Sequence, residues 1–165
     1  MATPLDSAIF KPLFTDDEIS ALLSDPALVR ALVDVEVALA QAQAPAGIIP
    51  AKAAKQIAKA GAEKVDMTAL TQGAVRSGFP IIALVQELRK QAGPGAAPFV
   101  HWGATTQDIM DTACVLQLRS AIQLLRARLD EIARRLSALA DRHRATVLAG
   151  RTHGQQALPI TFRLK

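Results

Sequence analysis

Residues 107–144 read QDIMDTACVLQLRSAIQLLRARLDEIARRLSALADRHR and contain neither glycine nor proline. Within them Ile122, Leu125, Leu129, Ile132, Leu136, Leu139 and His143 follow one another at spacings of three, four, three, four, three and four. This is a heptad seam of period 3.5, the pattern of coiled coils and long helical bundles. At 1.5 Å per residue the helix would run for roughly 55 Å. Short helices cannot cover such a seam, so it needs long partners from further along a longer chain or from other subunits. The chain is therefore expected to be part of a larger protein.

Upstream, the punctuation is that of short helices. Thr15-Asp16-Asp17-Glu18 reads as a capping box opening a helix that ends near Ser24, and Asp25-Pro26 as a second start with Asp25 as N-cap. Leu28, Leu32, Val35 and Leu39 form the apolar stripe of that helix, which Pro45 and Gly47 close. A third helix is expected over 50–60, with Lys52, Lys55 and Lys59 on a solvated face and Gly61 as its stop. Asp66 caps a fourth that runs to about Arg76, and Pro80 starts a fifth that Gly93-Pro94 ends. Downstream, 146–158 reads as a connecting loop and Pro159 as the first residue of another helix. The fold class is all-α: a small N-terminal helical domain over 1–106 and the beginning of a long-helix bundle over 107–165.

Composition agrees. The 165 residues are 50% hydrophobic and 21% charged, which excludes disorder, and aromatics are only 4%. Cys114 is the single cysteine, so neither an intrachain disulfide nor a cysteine-based zinc site is possible, and a structural thiol is expected within the helix. No signal peptide or membrane-spanning run is visible, and a cytoplasmic location is expected. The net charge of +4 is uneven: residues 1–100 carry nine basic and ten acidic side chains, whereas 101–165 carry ten basic and five acidic. The arginines alternate with leucines, so they read as the solvated face of the long helix or as attraction for a small polyanion. No helix-turn-helix or aromatic interleaving supports nucleic-acid binding. No zinc-ligand spacing, Walker loop or dinucleotide fingerprint occurs, so no metal and no cofactor are expected.

Two polar stretches flank the long helix. His101-x-Gly103-x-Thr105-Thr106-Gln107-Asp108 enters it, where backbone N–H groups and partial positive charge suit an anion. The other reading is plain N-capping by Thr105 or Thr106. Arg151-Thr152-His153-Gly154-Gln155 follows the helix, and its imidazole suits general acid–base work near neutral pH. The other reading is an ordinary solvated connection. His143, on the seam, reads as a core or interface histidine. If both stretches serve one site, a helix of this length requires that site to be assembled between subunits.

Together these stretches resemble the fumarase/aspartase superfamily. Asp34-Val35-Glu36-Val37-Ala38-Leu39-Ala40 with Gly47-Ile48-Ile49-Pro50 is similar to its N-terminal helix and turn, 101–108 to its first active-site region and 151–155 to its second. The resemblance implies a homotetramer with a central bundle of long helices, sites built from three subunits, and cofactor-free chemistry through an aci-carboxylate. It also implies a general base on a serine-containing loop beyond Lys165, so these 165 residues alone are expected to be inactive. Within the superfamily, Pro12-Leu13-Phe14 and 100–108 are most similar to the 3-carboxy-cis,cis-muconate cycloisomerases, which close a lactone in protocatechuate breakdown. That resemblance implies His153 and Thr152 as the catalytic pair. It implies His101, Thr105, Thr106, Gln107, Asp108, Arg151 and Gln155 as ligands of a small polycarboxylate. Phe79 stands where adenylosuccinate lyases place a catalytic histidine. Against this, the cycloisomerases often carry Trp where this chain has His153, which the fumarate-releasing lyases keep. A lyase of that kind is thus the second reading, and a non-catalytic helical assembly module the third.

Overall fold

The computed structural model describes residues 3–164. Seven α-helices and one β-hairpin are laid out in chain order, with short 3₁₀ turns between them. The helices are α1 (Lys11–Phe14), α2 (Asp17–Leu22), α3 (Asp25–Gln43), α4 (Ala51–Ile57), α5 (Met67–Ser77), α6 (Ile81–Ala92) and α7 (Thr106–Arg142). The strands are β1 (Val147–Thr152) and β2 (Gln155–Thr161). The chain divides into two compact units, one up to Ala121 and one from Ile122 onward.

The first unit is a helical domain whose core is drawn from α3, α4, α6 and the first turns of α7. Leu32, Ile57, Ile81, Leu84, Leu88, Val100 and Ile109 are completely enclosed there. Leu32 belongs to the stripe read from the sequence, and α3 packs on α4 while α6 packs on α4 and α5. The α5–α6 contact is tight at Gly73, where an added Cβ would lie 2.3 Å from the Cβ of Ala83. Glycine is needed there for close approach.

The caps differ in detail from the sequence reading. Asp16, not Thr15, caps α2 by accepting from the Ile19 N–H, while the Thr15 hydroxyl turns back to the Lys11 carbonyl at the end of α1. Ser24, not Asp25, caps α3 through the Ala27 N–H, which leaves Asp25 in the first turn, where its charge suits the helix dipole. Asp66 caps α5 as expected, accepting from the Thr68 and Ala69 N–H groups. Gly78 (φ 79°) and Gly93 (φ 75°) close α5 and α6. Helix α4 stops at Ile57, three residues before the expected end, and Lys52, Lys55 and Lys59 are exposed as read.

The second unit holds the rest of α7 and the hairpin. Helix α7 is continuous over 37 residues, as its heptads and lack of breakers demand. Six seam residues of this unit stand open: Ile122, Leu125, Leu129, Ile132, Leu136 and Leu139 are between 41% and 63% exposed. His143 is half-buried against the ring of Phe162, with centroids 5.6 Å apart. Cys114 lies within α7, as read, and is exposed, because it stands off the face that carries Ile109, Ala113 and Ala121 into the core.

Residues 146–158 are not a loop, and Pro159 does not begin a helix. They form the antiparallel β1–β2 pair, in which Thr152 faces Gln155 and Val147 faces Thr161. The turn between them has two residues, His153 (φ 49°) and Gly154 (φ 77°), both left-handed. Two successive positive φ values are what a type I′ hairpin turn requires, and His-Gly supplies them. Register slips between Ala149 and Arg151, at buried Gly150, where a Cβ would stand 2.7 Å from the Leu158 carbonyl oxygen. Glycine at a bulge and proline in a two-stranded ribbon are both tolerated positions.

Candidate active site

The entry to α7 is built backward from its core residue Ile109. A turn and one 3₁₀ segment after α6 carry the chain through Ala97–Phe99 to buried Val100, and His101 follows with φ 63°. The next left-handed residue, Gly103 (φ 71°), returns the chain to the start of the helix. The turn is held from α3, where the Gln43 side-chain amide donates to the Trp102 carbonyl at 2.7 Å, and by Trp102 against Phe99. His101 thus occupies a conformation that costs a non-glycine residue energy and that surrounding structure must enforce.

The side chain of His101 is itself held from α3, by Glu36. The Glu36 side chain is fully enclosed on α3, and its Oε1 lies 2.6 Å from Nδ1 of His101, whose side chain retains 18% exposure. Burial pushes the Glu36 carboxyl above its ordinary range, opposed by the bond to His101 and the charge of Arg89. Its second oxygen, Oε2, is buried with no hydrogen-bond partner. On the other side, His101 and Thr106 share a small cavity of about 170 Å³ with Gln86, Arg89 and the apolar side chains of Ile81, Ile82 and Val85. A guanidinium, an imidazole, a hydroxyl and a helix N-terminus around one hollow suit a carboxylate.

The other residues of the first motif are engaged locally. Asp108 accepts from the Thr105 N–H at 2.9 Å, half of a capping box, and Gln107 bonds Asp111 one turn on. The Thr105 side chain is exposed and Thr106 half-buried. Asp108 thus supplies the capping contact, while Thr106 and His101 line the hollow. In the second unit, Arg151, Thr152, His153 and Gln155 are all exposed at the tip of the hairpin. Beyond Gly78, Phe79 is 46% exposed. Among the described residues, no group of three or more His, Cys, Asp or Glu side chains is placed to hold a metal ion. Nor, among them, is any helix long and apolar enough to cross a membrane.

Glu36 and Arg89 were not singled out as site residues from the sequence. Glu36 had left a signal, four residues after Leu32 and four before Ala40: an acid on the apolar face of α3 needs a buried partner. Arg89 left none, since a basic residue in the last turn of a helix is ordinary.

Comparison with known proteins extends these features. A family profile described as "Lyase" matches residues 14–165. The chain is 42% identical over 162 residues to the 3-carboxy-cis,cis-muconate cycloisomerase of Acinetobacter baylyi, covering 94% of the chain and 36% of that protein. It is 40% identical over 169 residues to the nitrosuccinate lyase of Streptomyces davaonensis, covering 100% of the chain and 36% of that protein. The crystal structure of the 3-carboxy-cis,cis-muconate lactonizing enzyme of Pseudomonas putida superposes with a TM-score of 0.88 at 40% identity, over 96% of this chain and 37% of that one. The chain thus spans little more than a third of the length of these relatives. With a matching profile over nearly all its residues, the chain belongs to the lyase family of the fumarase/aspartase superfamily.

Proposed function

We propose that the protein to which this chain belongs is a 3-carboxy-cis,cis-muconate cycloisomerase. The observation that carries this reading is the likeness to cycloisomerases in both sequence and structure over nearly all the chain. The hollow beside His101 supports it, because the substrate bears three carboxylates. In the reaction, an oxygen of one carboxylate adds to the carbon β to a second, and a C–O bond forms. The displaced π pair moves into that second carboxylate, giving its aci form. A proton then reaches the α carbon, the carboxylate reforms, and the net change is isomerisation.

In this reading the α7 N-terminus, Thr105 and Thr106 stabilise the charge that gathers on the aci-carboxylate. His101 and Arg89 hold a carboxylate at the hollow, with Gln107 and Asp108 shaping the turn. His153 and Thr152 handle the proton, flanked by Arg151 and Gln155. The unbroken α7 and its uncovered seam support a homotetramer in which hairpin tips and helix entries of different subunits meet.

A fumarate-releasing or related β-elimination is the second reading, favoured by the likeness to nitrosuccinate lyase and by His153. It uses the same aci-carboxylate in the other direction. The deciding experiment supplies the full-length enzyme with 3-carboxy-cis,cis-muconate, nitrosuccinate and a succinyl-amine in parallel. Loss of the dienoate absorbance with lactone formation is expected. Turnover of either of the other two substrates alone replaces the first reading by the second.

A further inference from the structure

We propose that Glu36 is a positioning residue of this site: as a carboxylate it holds a proton on Nδ1 of His101, so that Nε2 is the nitrogen that meets a ligand in the hollow beside Thr106 and Arg89. Nε2 accepts from an acid group when the ring is neutral and donates to a carboxylate when the ring carries a second proton. The proposal rests on the reading of that hollow as a carboxylate site for its consequence, but not for its first test.

The geometry supports it in three ways. The two side chains stand 65 residues apart in sequence and meet at 2.6 Å, so Nδ1 of the ring is committed to Glu36. His101 has positive φ, a conformation costly to a non-glycine residue, so its ring is placed by a backbone that the surrounding structure must hold. Among the described residues, Glu36 is the one fully enclosed acid in the core of the first unit, and the oxygen that finds a hydrogen-bond partner, Oε1, finds it in the His101 ring. A neutral imidazole that donates from Nδ1 must accept at Nε2, and a ring that takes up a second proton donates from both nitrogens. Glu36 thereby decides which ring nitrogen meets a ligand in the hollow, without touching the ligand itself.

The opposite arrangement has a distinct signature. A protonated Glu36 would donate to Nδ1 and leave the hydrogen on Nε2. Long-range ¹H–¹⁵N correlation spectra of the 165-residue chain, ¹⁵N-labelled at histidine and recorded at mildly alkaline pH, report which nitrogen carries the hydrogen. The expected result is the Nδ1–H form for His101, the minor form of a free imidazole. Glu36→Gln, whose amide oxygen still accepts from Nδ1, should keep it, and Glu36→Leu should return the ring to Nε2–H. An Nε2–H signature in the unaltered chain, or a tautomer that ignores residue 36, overturns the proposal. Intact folding of both variants is checked by far-ultraviolet circular dichroism, and should Glu36→Leu fail to fold, the spectrum of the unaltered chain and of Glu36→Gln still decides.

In the full-length enzyme, tricarballylate serves as a carboxylate probe. Its inhibition constant should rise about tenfold or more in Glu36→Gln, the loss expected when a hydrogen bond to a charged group becomes one to a neutral group. An unchanged constant with the expected tautomer shows that the placement of the ring by Glu36 does not reach the ligand, and it overturns the role of Glu36 in binding.

Discussion

Oε1 of Glu36 and Nδ1 of His101 lie 2.6 Å apart across 65 residues of sequence, and this pair ties α3 to the entry of α7. Its energetic sign depends on pH. Burial raises the Glu36 carboxyl above its ordinary range, and the His101 bond and Arg89 charge oppose this without reversing it. A carboxyl whose folded-state pKa exceeds its unfolded value contributes stability that is complete below the unfolded pKa and is lost as pH rises through the folded one. Glu36→Gln cannot titrate. As pH rises above the ordinary carboxyl range of about 4, the unaltered protein should therefore lose stability relative to Glu36→Gln. Urea unfolding midpoints at several pH values measure this, and a constant difference between the two proteins contradicts it.

Gly73 and Ala83 set the approach of α5 to α6. Gly73→Ala gains about 1 kcal/mol of helix propensity. It also places a methyl 2.3 Å from the Ala83 Cβ, and overpacking of this kind costs about 1–3 kcal/mol. Net destabilisation is expected. Adding Ala83→Gly should recover part of the loss, so the double mutant is more stable than the sum of the single changes allows. Additive losses measured by chemical denaturation would mean that the helices separate rather than clash.

His153 separates turn chemistry from reaction chemistry. Asparagine is the preferred residue at the first position of a type I′ turn before glycine, so His153→Asn should keep the hairpin. In the full-length enzyme the same change should lower kcat about 10²-fold or more, because the proton-handling group is gone. His153→Val should instead weaken the hairpin by about 1–2 kcal/mol, since a branched side chain resists positive φ. Normal kcat in His153→Asn would remove His153 from proton transfer.

The uncovered seam predicts association. Leu129 is 63% and Leu136 59% exposed, on a stripe that continues for six apolar residues. The 165-residue chain should self-associate at micromolar concentration in sedimentation equilibrium, without turning over any of the three substrates. Leu129→Lys with Leu136→Lys removes about 6 kcal/mol or more of apolar burial from a two-chain contact, and should leave a monomer. A strictly monomeric unaltered chain argues that the seam is not an assembly surface.

Residues whose effects are local could be read directly. The period of 107–144, the breaks at Gly78 and Gly93 and the cap at Asp66 each depend on neighbours within a few positions, and all three elements stand where they were read. The caps of α2 and α3 moved by one residue because Thr15 and Asp16, or Ser24 and Asp25, compete on nearly equal terms. The choice is made by the preceding turn. The hairpin went unread because 147–161 lacks a strict alternation of apolar and polar residues, and His-Gly is a less familiar positive-φ pair than Asn-Gly.

By itself, then, the sequence determined the helical class, the unbroken α7 and the positions of both polar motifs, since periodicity and breakers act over a few residues. Tertiary structure alone decided what those motifs touch. Glu36 reaches His101 only because α3 and the turn before α7 pack on one core, and Arg89 enters the hollow only because α6 ends beside that turn. Contacts between residues so far apart in sequence depend on how helices are placed, and no local spacing records that placement.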